Sequence, residues 1–292
     1  MAADDKQQYV TSLFHASETF YDQAGFNWDA IGDVEIDELN GSIDGGGCLF
    51  SGGFLVAEEV DRFNFGLDDF TVEFFVLPTT IGGYQALFYT GVYNTLQLSS
   101  RINPEGQIET FIGGGSNAYG LVKTTMALNA GQIYFISICS KSGVITTRVN
   151  GIAGSSKANS TPISSNTKGY IGCQPYLGTI SSLLSGWIYE LRVTKGFCRY
   201  DSNHSIPSEK FELYKGLISG EVKVDEIPLS TKIHIINAST GEVITSTDSD
   251  ASGSFDVELN AYINDSVIAV CIPPPGYKAL THGPLSIHYE EA

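Results

Sequence analysis

The chain is 292 residues long, 42% apolar and only 17% charged, with 32 Gly and a formal net charge of −17. The acidity is spread, −10 up to Tyr214 and −7 beyond it, which excludes the clustered Lys and Arg that nucleic acid or an anionic membrane surface requires. Such a length predicts two domains with separate cores, and so Gly-rich, charge-poor a composition predicts an all-β chain.

In chain order, a short strand is expected over residues 9–14 (YVTSLF), ending at His15. The aromatic stretch 20–28 (FYDQAGFNW) places Asp22, Gly25 and Asn27 as turn chemistry between rings. An acidic, irregular segment is expected over 33–44, before Gly45-Gly46-Gly47 leads into Cys48-Leu49-Phe50. Residues 70–76 (FTVEFFV) alternate cleanly, with Phe70, Val72, Phe74 and Val76 on one face and Thr71, Glu73 and Phe75 on the other. Further strands are expected at 86–89, 95–102, 108–112, 133–139 and 144–149, the last running into Asn150-Gly151, a two-residue hairpin signal. Residues 155–167 read as a long Ser/Thr/Asn loop, and 170–172 restart the sheet. Residues 186–200 (GWIYELRVTKGFCRY) form a strand and turn that close the first domain. About a dozen short strands with Gly-rich turns predict a two-sheet sandwich. No apolar stripe at helical spacing persists, so long helices are not expected.

A second domain is expected from residue 216, with strands at 217–224, 232–237, 242–246, 255–259 and 266–272. Pro273-Pro274-Pro275-Gly276 must be a loop, because proline donates nothing to a ladder. The predicted boundaries are a tail at 1–7, a first domain at 8–207, a linker at 208–215 and a small sandwich at 216–292.

Five widely spaced cysteines, Cys48, Cys139, Cys173, Cys198 and Cys271, argue against a disulfide framework or a zinc site. The opening MAADDKQQ has neither basic nor apolar leader character, so folding in a reducing cytoplasm, without membrane insertion, is the expectation. The histidines His15, His204, His234, His282 and His288 are scattered without ligand spacing, and His15 is expected as a hydrogen bonder at a strand end. Gly113-Gly114-Gly115 reads as a turn, since no phosphate-binding helix follows. Catalysis finds no convincing constellation. Glu35-Ile36-Asp37-Glu38 begins like the paired-carboxylate strand of retaining glycosidases, but Asn40 takes the third acidic position and aromatic flanks are missing. A non-enzyme is expected. Tyr84, Tyr93, Tyr119 and Tyr176 are loop aromatics able to stack on a sugar or serve an interface, or to pack on the sandwich rim.

Four stretches carry a family resemblance. They are Leu13-Phe14-His15 with Phe20, Asp22 and Gly25; Gly46 to Phe50; Leu67 to Val76; and Gly186 to Gly196 with Arg199-Tyr200. Together they resemble the laminin-G-like, concanavalin-A-like jelly rolls common in bacteriophage virion proteins. Several relatives hold calcium with carboxylates near the domain's two ends, which makes Asp22 the calcium candidate. Tyr189 stands where the family often has a further acidic residue. The bare sequence reads Asp22 as solvated or turn-capping. The second domain, through 220–222, 237–243 and 247–255, resembles carboxypeptidase-regulatory or transthyretin-like (Ig-like) modules, which carry no active site and act as spacers or docking units. The resemblance implies a virion protein of capsid, neck or tail, assembled in host cytoplasm beside other virion proteins. It further implies several symmetric copies, no cofactor, and a host-surface glycan as ligand, with a glycan-binding attachment lectin as the alternative primary role.

Overall fold

The structure is a computed structural model. It describes residues 9–15, 19–37, 46–58, 60–91, 98–112, 120–163, 168–176, 178–211, 216–224, 227–237, 241, 243–259, 267–271, 281–285 and 288–289. The chain divides into two compact units, one of them Tyr9–Phe211. Among the described residues no α-helix occurs, and Val60–Phe63 is a 3-10 turn. The fold is all-β.

The first unit is a sandwich of two antiparallel sheets. The order in the first sheet is Ile152–Ala158, Val144–Val149, Tyr134–Lys141, Phe70–Pro78, Ser185–Lys195, Gly47–Ser51 and Val34–Asp37. Val10–Phe14 joins it by pairing with the far half of Ser185–Lys195. The second sheet runs Gly120–Ala127, Gln107–Ile112, Leu98–Ile102, Gln85–Thr90, Gly169–Ile171, Phe54–Ala57 and Asp29–Ile31. Strands adjacent in space but distant in sequence, such as Phe70–Pro78 beside Ser185–Lys195, give the crossed connections of a jelly roll. Alternation fills the core with Val72, Phe74, Val76, Ile136, Ile138, Phe88, Ile102, Ile108 and Val122, all buried.

The closing stretch predicted around Gly186 is a central strand of the first sheet. It is bulged between Tyr189 and Arg192, where Glu190 takes a left-handed φ of 50°. Before the bulge it pairs with Gly47–Ser51, and beyond it with Val10–Phe14. Gly186 is required: a Cβ there would overlap the Leu77 carbonyl oxygen.

Three sequence expectations are corrected. Residues 34–37, expected to be irregular, pair with Gly47–Ser51 as a strand. Residues 155–158, the start of the loop expected over 155–167, belong instead to the edge strand Ile152–Ala158, placed by the expected two-residue turn Asn150-Gly151, whose φ values of 52° and 76° suit a type I′ hairpin. Residues 208–211, assigned to a linker, end on Phe211, which is buried in the first unit against Phe75 and Phe135. Gly120–Ala127 is a strand without a sequence forecast.

The second unit has a three-stranded sheet, Ser254–Leu259, Gly216–Glu221 and His288–Tyr289, and a four-stranded one, Val243–Asp248, Lys232–Asn237, Val267–Cys271 and Thr281–Leu285. Its core is Ile218, Ile233, Ile235, Phe255, Val257, Val267 and Ala269. The Pro273–Gly276 loop forecast lies outside the described residues.

Candidate functional site

In each sheet of the first unit, the residues alternating with the core face outward, and those two outer faces hold the polar chemistry. On the second sheet, register sets Arg101 opposite Glu109 and Glu109 opposite Lys123. One row further, Phe111 lies between Ser99 and Leu121, and Tyr89 lies between Ser99 and Tyr170. Arg101 donates from Nε and Nη2 to Glu109 Oε2, at 3.1 and 2.9 Å. Asn103 Nδ2 donates to the other carboxylate oxygen at 3.1 Å, with Lys123 Nζ at 3.9 Å.

The Arg101 guanidinium is also clamped between rings. Its Cζ lies 4.0 Å from the Tyr84 centroid and 4.5 Å from that of Phe111. Tyr84 itself remains 48% exposed. This combination of an accessible ring, fixed from behind by a cation, with the part-exposed Lys123 ammonium on the same face is suited to a sugar, while Glu109 and Asn103, 8% and 1% exposed, lie beneath and position Arg101. The ring takes C–H faces, and the ammonium takes hydroxyls.

Of the four forecast aromatics, Tyr84 belongs to this cluster. Tyr176 is exposed on the ribbon Gln174–Tyr176 and Thr179–Ser181. That ribbon's far end is tied toward Tyr84, because the Ala86 amide donates to Ser182 O. Tyr93 and Tyr119 lie outside the described residues, as does the Gly113–Gly115 turn. Arg101, Glu109, Phe111 and Lys123 were missed by sequence reading. The signal for them was the turn Asn103-Pro104-Glu105-Gly106, which puts Arg101 across from Glu109.

The first sheet's outer face is different. Glu73, fully buried, accepts Arg192 Nε at 2.8 Å and the Tyr200 hydroxyl at 2.7 Å, with Arg199 Nε at 3.7 Å. Residues 197–211 lie across it: the Arg199 amide donates to Thr71, His204 reaches Ser137, and Phe211 lies under the Arg192 guanidinium. Glu190 takes the Phe211 amide at 2.9 Å and His15 Nδ1 at 2.8 Å, so His15 is indeed a hydrogen bonder at a strand end.

Asp22 is neither solvated nor suited to a cation. Oδ1 accepts the Leu13 and Ala24 amides, and Oδ2 accepts the Ser12 hydroxyl and the Trp28 indole. Four donors occupy its four lone-pair sites, and burial, opposed by those bonds, pushes its carboxyl above the usual range. Its turn-capping role is carried by the Ala24 bond. Where relatives often place an acid, Tyr189 buries its ring beside Gly47, and burial raises its hydroxyl to about 12. Asp37 accepts the Trp187 indole at 3.2 Å, a structural use of the segment weighed for catalysis; Glu38 and Asn40 lie outside the described residues. No group of three or more metal-ligating side chains occurs among the described residues.

Residues 55–196 match the family described as the concanavalin A-like lectin/glucanases superfamily, Laminin_G_3. No curated protein sequence matches the chain. Among solved structures, domain 4 of AbnA, an extracellular arabinanase of Geobacillus stearothermophilus solved with arabinotriose, is 15% identical. It covers 65% of this chain and 93% of its own, with a TM-score of 0.54. The binding domain of botulinum neurotoxin serotype D is 11% identical, covers 93% of this chain and 72% of its own, and has a TM-score of 0.53. At such identities the likeness is one of fold. The first unit of this chain is a concanavalin-A-like jelly-roll sandwich.

Proposed function

We propose that the first unit is a non-catalytic glycan-binding module whose ligand lies on the outer face of the second sheet, over Tyr84. The observation that carries this is the Tyr84–Arg101–Phe111 stack with Glu109, Asn103 and Lys123 beside it. A ring held by a cation has lost its rotamer freedom before a ligand arrives, which lowers the cost of binding. The arabinanase domain of like fold was solved with a trisaccharide, in keeping with a saccharide ligand. Within the segment weighed for catalysis, Asp37 is engaged by the Trp187 indole.

The experiment is a glycan array on the full chain, followed by titration of the best ligand. Tyr84→Ala is expected to weaken binding by about tenfold, with Tyr176→Ala weakening it less. Undiminished binding by Tyr84→Ala removes the site from this face.

The setting proposed is a phage particle, where the resemblance of both modules to virion proteins points. Copies repeated on a particle turn a weak single-site affinity into avid attachment, and all five thiols are free, as fits assembly in a reducing cytoplasm. Mass spectrometry of purified particles tests the setting separately from the ligand: absence from the particle rejects it and leaves glycan binding standing.

A further inference from the structure

The five cysteines are not equivalent. Cys48 and Cys173 are buried singly, and burial alone raises both, Cys173 to about 12. Cys139, on the Tyr134–Lys141 strand, lies opposite Thr71 in the ladder, and Cys198, in the segment that crosses the first sheet's outer face, sits between Phe197 and Arg199, which both meet Thr71. Thr71 joins the two sides: its hydroxyl is 3.7 Å from Cys139 Sγ, accepts the Arg199 amide at 2.9 Å, and lies 3.4 Å from Phe197 O. Arg148 completes the cluster. It is 4% exposed, its Nε and Nη1 have no hydrogen-bond partner among the described residues, and its charge acts on both Cys139 and His204. A buried guanidinium lacking those bonds is costly, and an anion forming beside it would recover part of that cost.

We infer that Cys139 and Cys198 are a site of reversible oxidation, forming an intramolecular disulfide that fastens residues 197–211 to the first sheet. The oxidant is a low-molecular-weight disulfide. The Cys198 thiolate attacks one of its sulfurs, forming a mixed disulfide and releasing one thiolate. The Cys139 thiolate then attacks Cys198 Sγ, forming the Cys139–Cys198 bond and releasing the second. Two electrons pass to the oxidant, and the two protons leave on its two thiols.

Two features set the order of attack. The neighbouring Cys139 thiol and the Tyr200 amide lower the Cys198 thiol, against its burial, to about 7. Cys139 is raised by burial, with the Arg148 charge working in the opposite direction, so Arg148 assists the second, bridge-closing step. Access comes from the segment itself: residues 196–211 contain no strand, and a segment held by side-chain bonds opens at less cost than a ladder.

The test is oxidation of the folded full chain with oxidised glutathione, followed by thiol titration in denaturant and peptide mapping. Five titratable thiols are expected to fall to three, with the Cys139 and Cys198 peptides joined. Cys139→Ser is expected to retain glutathione on Cys198, and Cys198→Ser to take up none and form no bridge. Arg148→Met is expected to slow conversion of the mixed disulfide about tenfold. Five thiols after oxidation, a bridge between any other pair, or a 139–198 bridge that forms only in denaturant overturns the inference. Unchanged closure in Arg148→Met overturns the role given to Arg148.

Discussion

The two outer faces of the jelly roll follow one rule and end in opposite states. Each puts an Arg–carboxylate pair and aromatic rings at positions alternating with the core. On the Phe70–Pro78 strand those positions are covered by residues 197–211, and Glu73 is 0% exposed. On the second sheet's outer face Glu109 is buried too, at 8%, but Arg101 and Lys123 keep 22% and 39% of their side-chain surface, and Tyr84 about half. What separates structure from binding here is therefore cover, not residue type. A sealed ion pair holds a segment down, and one whose arginine is left uncovered holds a ring out.

The strongest test of that contrast compares Glu73→Gln with Glu109→Gln. Glu73→Gln leaves Arg192 buried without its counter-charge, and a loss of about 3–5 kcal/mol is expected. Glu109→Gln, at a carboxylate buried itself but with its partners Arg101 and Lys123 still part-exposed, should cost less, about 1–2 kcal/mol. Denaturant unfolding of the first unit measures both, and equal losses would erase the distinction.

Gly151→Ala comes next. Gly151 has a φ of +76°, and a Cβ on it would collide with the His204 carbonyl oxygen. A loss of about 2 kcal/mol is expected, with hydrogen exchange rising in residues 197–211 and unchanged around Arg101. Exchange that rises on both faces alike would show that the cover is not a separate element.

The smallest effect is one of pH. Burial holds His204, stacked on Tyr200 at 3.7 Å, below its ordinary 6.5. The unfolded chain then binds the proton more readily, so the stabilisation is complete above about 6.5 and is lost as the pH falls below it. Protection factors in residues 197–211, corrected for the intrinsic exchange rate at each pH, should fall near pH 5 relative to pH 8, and His204→Gln should abolish that dependence. A response that persists in His204→Gln would move its origin to another group.

How legible these faces were depended on distance along the chain. Alternation within 70–76 and the Asn150-Gly151 turn were both readable, because each is set by residues a few positions apart. The 152–158 strand (IAGSSKA) was not, since small polar residues carry no strand signature and its place is imposed by the hairpin register. Asp22 looked solvated because its burial comes from Ser12, Leu13 and Trp28 closing around it, which no local pattern records. Arg101 and Glu109 required only a turn assignment at 103–106; Tyr84 was found for its exposure, without the guanidinium that positions it.

Glu190 has one more consequence. A single carboxylate holds His15, near the start of the jelly roll, and the amide of Phe211, its last residue. The end of the unit's first strand and its final residue are therefore latched by one side chain. Substitution at Glu190 would release both margins of the jelly roll together, so a single position governs how firmly the sandwich is closed at that corner.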